Sequence, residues 1–236
     1  SCQKMYSKLK VLSNEPELSC ELVEINGSLY ESLLKGEKTE VTHKELNDPA
    51  WLFYTSGTTG RPKGAMQSHK NLYAMLLRYL SDVDSINVGD SVFHCAPMTH
   101  GSGYYILPYI VKGGINVIPD SGKFLEQEIL GLLDTYKNAS FFAAPTMLKR
   151  LIEHKKASLH SFRNLKTVIY GGGPMYQKDL EQALDALGDK LIQIYGQGEC
   201  PMSICVLDRY QHSQSKSTKY KNRLASIGFP MTGTEV

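Results

Sequence analysis

From Trp51 onward, short apolar runs rich in β-branched and aromatic residues alternate with longer stretches whose apolar residues recur every three or four positions. A chain with this alternation must lay strands and helices down in turn, which restricts it to an α/β fold. The strand candidates are 51–54, 91–95, 115–118, 140–143, 167–170, 191–195 and 203–207. They are mostly continuous, the pattern of strands covered on both faces. Between them, 71–83 places Leu72, Leu76 and Leu80 on one helical stripe, and 124–136 does the same with Leu125, Ile129, Leu132, Leu133 and Tyr136. A third stripe, 175–187, begins after Pro174. Together they imply a mostly parallel sheet with crossover helices, whose active loops gather at the carboxyl ends of the strands. Residues 1–47 show no sustained period and read as a connecting lead-in, which leaves 48–236 as the α/β portion.

Directly after the first strand candidate comes Thr55, Ser56, Gly57, Thr58, Thr59, Gly60, Arg61, Pro62, Lys63 and Gly64. Hydroxyls, glycines and one lysine with no acid among them supply donors to phosphate oxygens, and glycine lets backbone N–H groups approach. The phosphate loop of nucleotide hydrolases, G-x-x-x-x-G-K-[ST], is a different motif: counted from Gly57, position 62 is Pro and position 64 is Gly. A flexible Gly/Ser/Thr linker is the plain alternative, but a linker does not require a Pro-Lys-Gly after a strand.

Two further glycine turns follow strand candidates. Gly171, Gly172, Gly173 and Pro174 lie between 167–170 and the third helix, where a tight turn alone could explain the glycines. Tyr195, Gly196, Gln197, Gly198 and Glu199 follow the strand 191–195. There the tyrosine offers a flat face to a base, and the carboxylate offers a hard oxygen to Mg²⁺. His100, in the run 96–103, follows the strand 91–95. The remaining histidines show no zinc-ligand spacing.

Residues 54–64, with their flanks, resemble the phosphate-binding signature of the adenylate-forming superfamily, and of its fatty acyl-CoA synthetase branch in particular. The other two turns occur in that family's order. The resemblance implies that Thr55, Ser56, Thr58, Thr59 and Lys63 hold ATP phosphates, and that 171–174 borders the adenine. It also implies that Tyr195 packs on adenine, that Glu199 binds Mg²⁺, and that His100 lines the acyl site. The family commonly has Thr where this chain has Gly198, so a hydroxyl contact to the α-phosphate is missing here.

The implied reaction joins ATP to a carboxylic acid, a medium or long fatty acid by resemblance, and then passes the acyl group to coenzyme A. An acyl-adenylate ligase serving a carrier protein or an amine is the alternative, as is a nucleotide-binding module without catalysis. The chain resembles only the middle of the family's large N-terminal domain. The ribose aspartate, hinge and swivelling C-terminal domain are expected to be absent, a fragment of this kind to be inactive alone, and surfaces bared by truncation to self-associate.

A net charge of +2, from 26 basic and 24 acidic residues, gives no global field for nucleic acid or membrane. The basic segment 209–223 reads as a solvated loop. Five scattered cysteines suit a reducing, cytoplasmic setting, and no apolar run is long enough to span a membrane.

Overall fold

The parallel ladder expected from the alternation forms, and its strand ends set the rest of the architecture. The structure, a computed structural model, describes residue 9 and residues 22–55, 60–158 and 160–236. Two units divide the chain, Ser1–Lys44 and Glu45–Val236. In the first, within the stretch read as lead-in, the short helix α1 (Ser28–Leu34) buries no residue.

The second unit opens on a hairpin, β1 (Pro49–Thr55) and β2 (Lys63–Ser68), paired antiparallel with Thr55 opposite Lys63. The first strand candidate is thus real, yet it lies outside the large sheet and is covered on one face only. Phe53 is buried, whereas Leu52 and Tyr54 are exposed, as is Met66, the cross-strand partner of Leu52. An apolar outer face made the run look continuous and hid its period of two.

Ser68 then caps α2 (His69–Arg78): its hydroxyl accepts from the Asn71 N–H, and the Asn71 side chain accepts from the Ser68 N–H. Where one helix was expected through residue 83, α2 widens into a π turn over Tyr79–Val83.

The main sheet runs β4-β3-β5-β6-β7-β8-β9. Its strands are β3 (Ser91–Phe93), β4 (Ile115–Val117), β5 (Ala139–Ala143), β6 (Leu165–Tyr170), β7 (Leu191–Tyr195), β8 (Cys205–Leu207) and β9 (Phe229–Pro230). β3 to β7 are parallel, and β8 and β9 close one edge antiparallel. Crossovers include α3 (Ile106–Val111), α4 (Glu126–Thr135), α5 (Pro145–Ile152) and α6 (Gln177–Leu187). α5 has Pro145 in its first turn, where the missing N–H costs nothing, and α6 starts at Gln177, two residues later than its apolar stripe suggests.

Alternate residues of one strand enter opposite cores, as both-face burial requires. Val168 and Tyr170 join the cluster containing Phe93, Phe141 and Leu148, while Ile169 joins Tyr79, Tyr105 and Ile192.

The basic segment is only in part the solvated loop expected: Lys216, Lys219 and Lys221 are exposed. It folds into α7 (Arg209–Ser213) and α8 (Tyr220–Leu224), and two of its arginines have partners within the fold. Arg223 donates to the Gln211 and Gln214 carbonyls. Arg209 donates to the Asp84 carboxylate at 3.1 Å and to the Lys166 carbonyl at 3.2 Å, and it also contacts the Thr167 hydroxyl, itself bonded to Asp84. The Asp84 side chain is only 2% exposed, and a carboxylate so buried is costly without such donors. Arg209→Ala should therefore destabilise the fold by about 2 kcal/mol, less than the roughly 3–5 of a sealed pair because Arg209 is partly exposed. Thermal unfolding should show a fall of about 4–8 °C, and adding Asp84→Asn should recover most of it.

Candidate active site

Parallel strands direct their carboxyl ends to one edge, and loops from β3, β5, β6 and β7 meet there. They enclose a cavity of about 460 Å³ together with the end of β1, a size usual for a small-molecule site. Three of the loops singled out by sequence contribute to its wall: Thr55 from β1, Gly171 and Gly172 from the turn after β6, and Gly196, Gln197 and Gly198 from the turn after β7. His100 lines the same cavity from the segment after β3.

Three of these glycines are required by space. A Cβ on Gly171 would lie 2.5 Å from the Ile194 carbonyl oxygen on the adjacent strand, one on Gly196 would lie 2.3 Å from the Met202 backbone nitrogen, and one on Gly198 would lie 2.5 Å from Thr55 Cγ2 and 2.9 Å from the Phe53 ring. Only a residue without a side chain lets the turn settle against its neighbour.

The other expected residues fall around the cavity rather than in its wall. Lys63 is exposed at the start of β2, opposite Thr55. Gly60 is exposed, as are Gly173 and Pro174. Half-buried Tyr195 accepts a hydrogen bond through its hydroxyl from Gln197 Nε2 at 2.9 Å. Glu199 is exposed and next in sequence to the lining residue Gly198. Ser56, Gly57, Thr58 and Thr59 lie outside the described residues.

Gln67 was not singled out by sequence. Its side chain, on the inward face of β2 in a residue 2% exposed, donates from Nε2 to the carbonyls of Gly198 at 2.8 Å and Glu199 at 3.2 Å. The hairpin that carries the glycine-rich loop is thereby tied to the turn that carries Glu199. A polar residue two positions after Ala65, on the same strand face, was the available signal, but β2 itself had gone unrecognised.

Aromatic rings build another part of the wall. Phe53 stacks on His100 with centroids 4.8 Å apart and on Tyr104 at 5.7 Å, and Tyr105 stacks on Phe142 at 5.9 Å. Burial pushes the Tyr104 hydroxyl up to about 12, so it stays neutral. Beneath this segment, buried His94 bonds through Nε2 to Asn116 Oδ1 at 2.8 Å, and its Nδ1 faces the Ser102 hydroxyl at 3.2 Å. With Nε2 carrying the proton, both ring nitrogens are satisfied and His94 anchors the turn 101–105 to β4.

No group of three or more His, Cys, Asp or Glu among the described residues could hold a metal ion by protein ligands alone. Glu199 as a single exposed carboxylate fits the other case, a Mg²⁺ held by one carboxylate together with substrate phosphates and waters.

Known proteins resemble this chain in sequence and fold. A family model described as "AMP-binding enzyme" matches residues 3–236. A medium/long-chain-fatty-acid–CoA ligase of Mycobacterium tuberculosis is 28% identical over 167 residues, covering 71% of this chain and 29% of that protein. A feruloyl-CoA synthase of Amycolatopsis is 30% identical over 193 residues, covering 81% and 37%. The solved structure of O-succinylbenzoate coenzyme A synthetase from Bacillus subtilis in complex with AMP superposes with a TM-score of 0.70 at 25% identity, covering 86% of this chain and 40% of that one. The chain thus spans about a third of the length of the relatives it matches, at 29% and 37% of the two ligases. A match running from residue 3 to the last residue, on a sheet whose strand-end turns share one cavity, makes this chain a member of the AMP-binding enzyme family.

Proposed function

We propose that the full-length protein containing this chain is an adenylate-forming acid–thiol ligase. A carboxylate oxygen of the substrate attacks the α-phosphorus of ATP, the bond to the bridging oxygen breaks, and pyrophosphate leaves with the bonding pair. The thiol of coenzyme A, as its thiolate, then attacks the acyl carbonyl and AMP leaves. A medium or long fatty acid is the substrate we favour by resemblance, and the free thiols among the described residues, Cys95, Cys200 and Cys205, suit a reducing cytoplasm. Residues 48–236 would be the nucleotide-binding portion of the larger N-terminal domain, with the swivelling domain elsewhere in the whole protein.

One observation carries this reading: the ends of β1, β6 and β7 line a single cavity. Two anions must meet there, so the protein's task is to neutralise charge and align the attack rather than to move protons. In this reading the hydroxyls and N–H groups of 55–60 and the Lys63 ammonium hold the β- and γ-phosphates. Gly171 and Gly172 leave room for the adenine, and His100 adjusts on the acyl side. Glu199 would hold Mg²⁺, which when bound supplies positive charge beside the phosphates. The backbone N–H of Gly198 stands in for the hydroxyl that resembling chains place there.

Two measurements test this. Glu199→Ala in the full-length protein should slow ATP–pyrophosphate exchange about 100-fold, since one electrostatic contact to the transition state is worth roughly 3 kcal/mol; an unchanged rate removes the metal role. Gly198→Thr, which matches the commoner residue, should impair exchange instead of improving it. Its Cβ collides with Thr55 and Phe53, an overpacking cost of about 1–3 kcal/mol. Adding Thr55→Ser deletes the nearest methyl and should restore part of the loss.

A further inference from the structure

Glu199 stands exposed at the tip of a tight turn. The Gln197 N–H donates to the Cys200 carbonyl at 3.0 Å and the Cys200 N–H donates back to the Gln197 carbonyl at 3.2 Å, which closes a loop of two residues, Gly198 and Glu199. Neither of these two residues' carbonyls takes part in that closure. Both accept instead from one nitrogen, Nε2 of buried Gln67, at 2.8 and 3.2 Å. A side-chain amide nitrogen carries two hydrogens, so each carbonyl can have its own donor.

The two carbonyls belong to the two peptide planes that meet at the Glu199 Cα. Each plane is rigid, so holding both C=O directions leaves the Cα–Cβ bond between them little freedom. The carboxylate faces water, but the stem that aims it is fixed from within. Gln67 reaches the turn from β2, where the period of two places it on the same strand face as Lys63 and Ala65. One strand thus carries the ammonium assigned to the phosphates and, four positions later, the amide that fixes the stem of the carboxylate assigned to the metal.

We propose that Gln67 is a positioning residue for adenylation: it aims Glu199 relative to Lys63, so that both charges bear on one polyphosphate. This rests on the ligase reading above and deepens it. Gln67 does not itself line the cavity, and it acts through Glu199.

The test is a double-mutant cycle in the full-length protein, read by ATP–pyrophosphate exchange with an acid that the unmodified protein activates. Gln67→Met keeps the length of the side chain and removes its donors. It should lower kcat about tenfold or more, the range in which residues that orient a metal ligand act, and leave KM for the acid within about twofold. In the Glu199→Ala background the same substitution should cost less than about twofold, because no carboxylate remains to be aimed. A second readout needs no turnover: in calorimetry, the gain in ATP affinity on adding Mg²⁺ should shrink about tenfold in Gln67→Met, with binding in EDTA unchanged. Circular dichroism checks that the variant folds; where it does not, Gln67→Glu, which keeps a polar head without the amide donors, takes its place in the cycle. A loss of equal size with and without Glu199, or no loss at all, overturns the inference and leaves the ligase reading intact. An unmodified protein that supports exchange with no acid removes the ligase reading, and the inference with it.

Discussion

The site depends on backbone approaching where no side chain fits. β6 and β7 lie side by side in parallel register, Val168 against Leu191 through Tyr170 against Gln193, so the turn after β6 leaves the sheet directly against β7. Gly171 meets the Ile194 carbonyl at a distance no Cβ tolerates. The turn after β7 meets β1 through Gly198, here against the side chains of Thr55 and Phe53. Together these two approaches draw the turns inward, where the Gly171 N–H donates to the Ala143 carbonyl and the Gln197 N–H to the Cys200 carbonyl. Substituting either glycine is therefore a change in where a loop sits, even though no contact of a side chain is lost.

The hairpin β1–β2 is the less obvious partner in this arrangement. It belongs to no part of the seven-stranded ladder, and its outer face is exposed and apolar. What joins it to the site is Phe53, packed among His100 and Tyr104, and Gln67, whose amide serves two consecutive carbonyls of the turn after β7. A buried amide with both carbonyls as acceptors fixes distance and direction better than apolar contact would, because a small shift leaves a buried donor unmet.

Much of this was legible in the chain. All seven strand candidates exist; the five parallel ones, buried on both faces, need runs such as 139–143 and 165–170 that are apolar or small throughout. The turns at 171–174 and 195–199 could be placed because each follows such a run. What escaped notice had weak local signals. β2 contains a glycine and a polar inward residue, so its alternation is faint, and β9 is two residues long. The helix α5 is short, and its Pro145 resembles a turn signal as much as a helix start. For 209–223, composition misled: the arginines looked solvated because Asp84, which Arg209 meets, lies 125 positions away. Long-range ion pairs leave no trace in a window of sequence. The aromatic wall was hidden for the same reason, being assembled from β1, the turn at 101–105 and β5.

Charge and apolar surface are segregated in this molecule. Lys63 and Glu199 are exposed beside the cavity, whereas the described residues that line it include no Lys, Arg, Asp or Glu. The buried carboxylates Asp84 and Asp90 do not line it, and each lies against a cation, Arg209 at 3.1 Å and Lys166 at 2.7 Å. A carboxylate sealed from water without such a partner costs several kcal/mol, so the fold keeps its ion pairs where water is excluded and its solvent-facing charges at the rim.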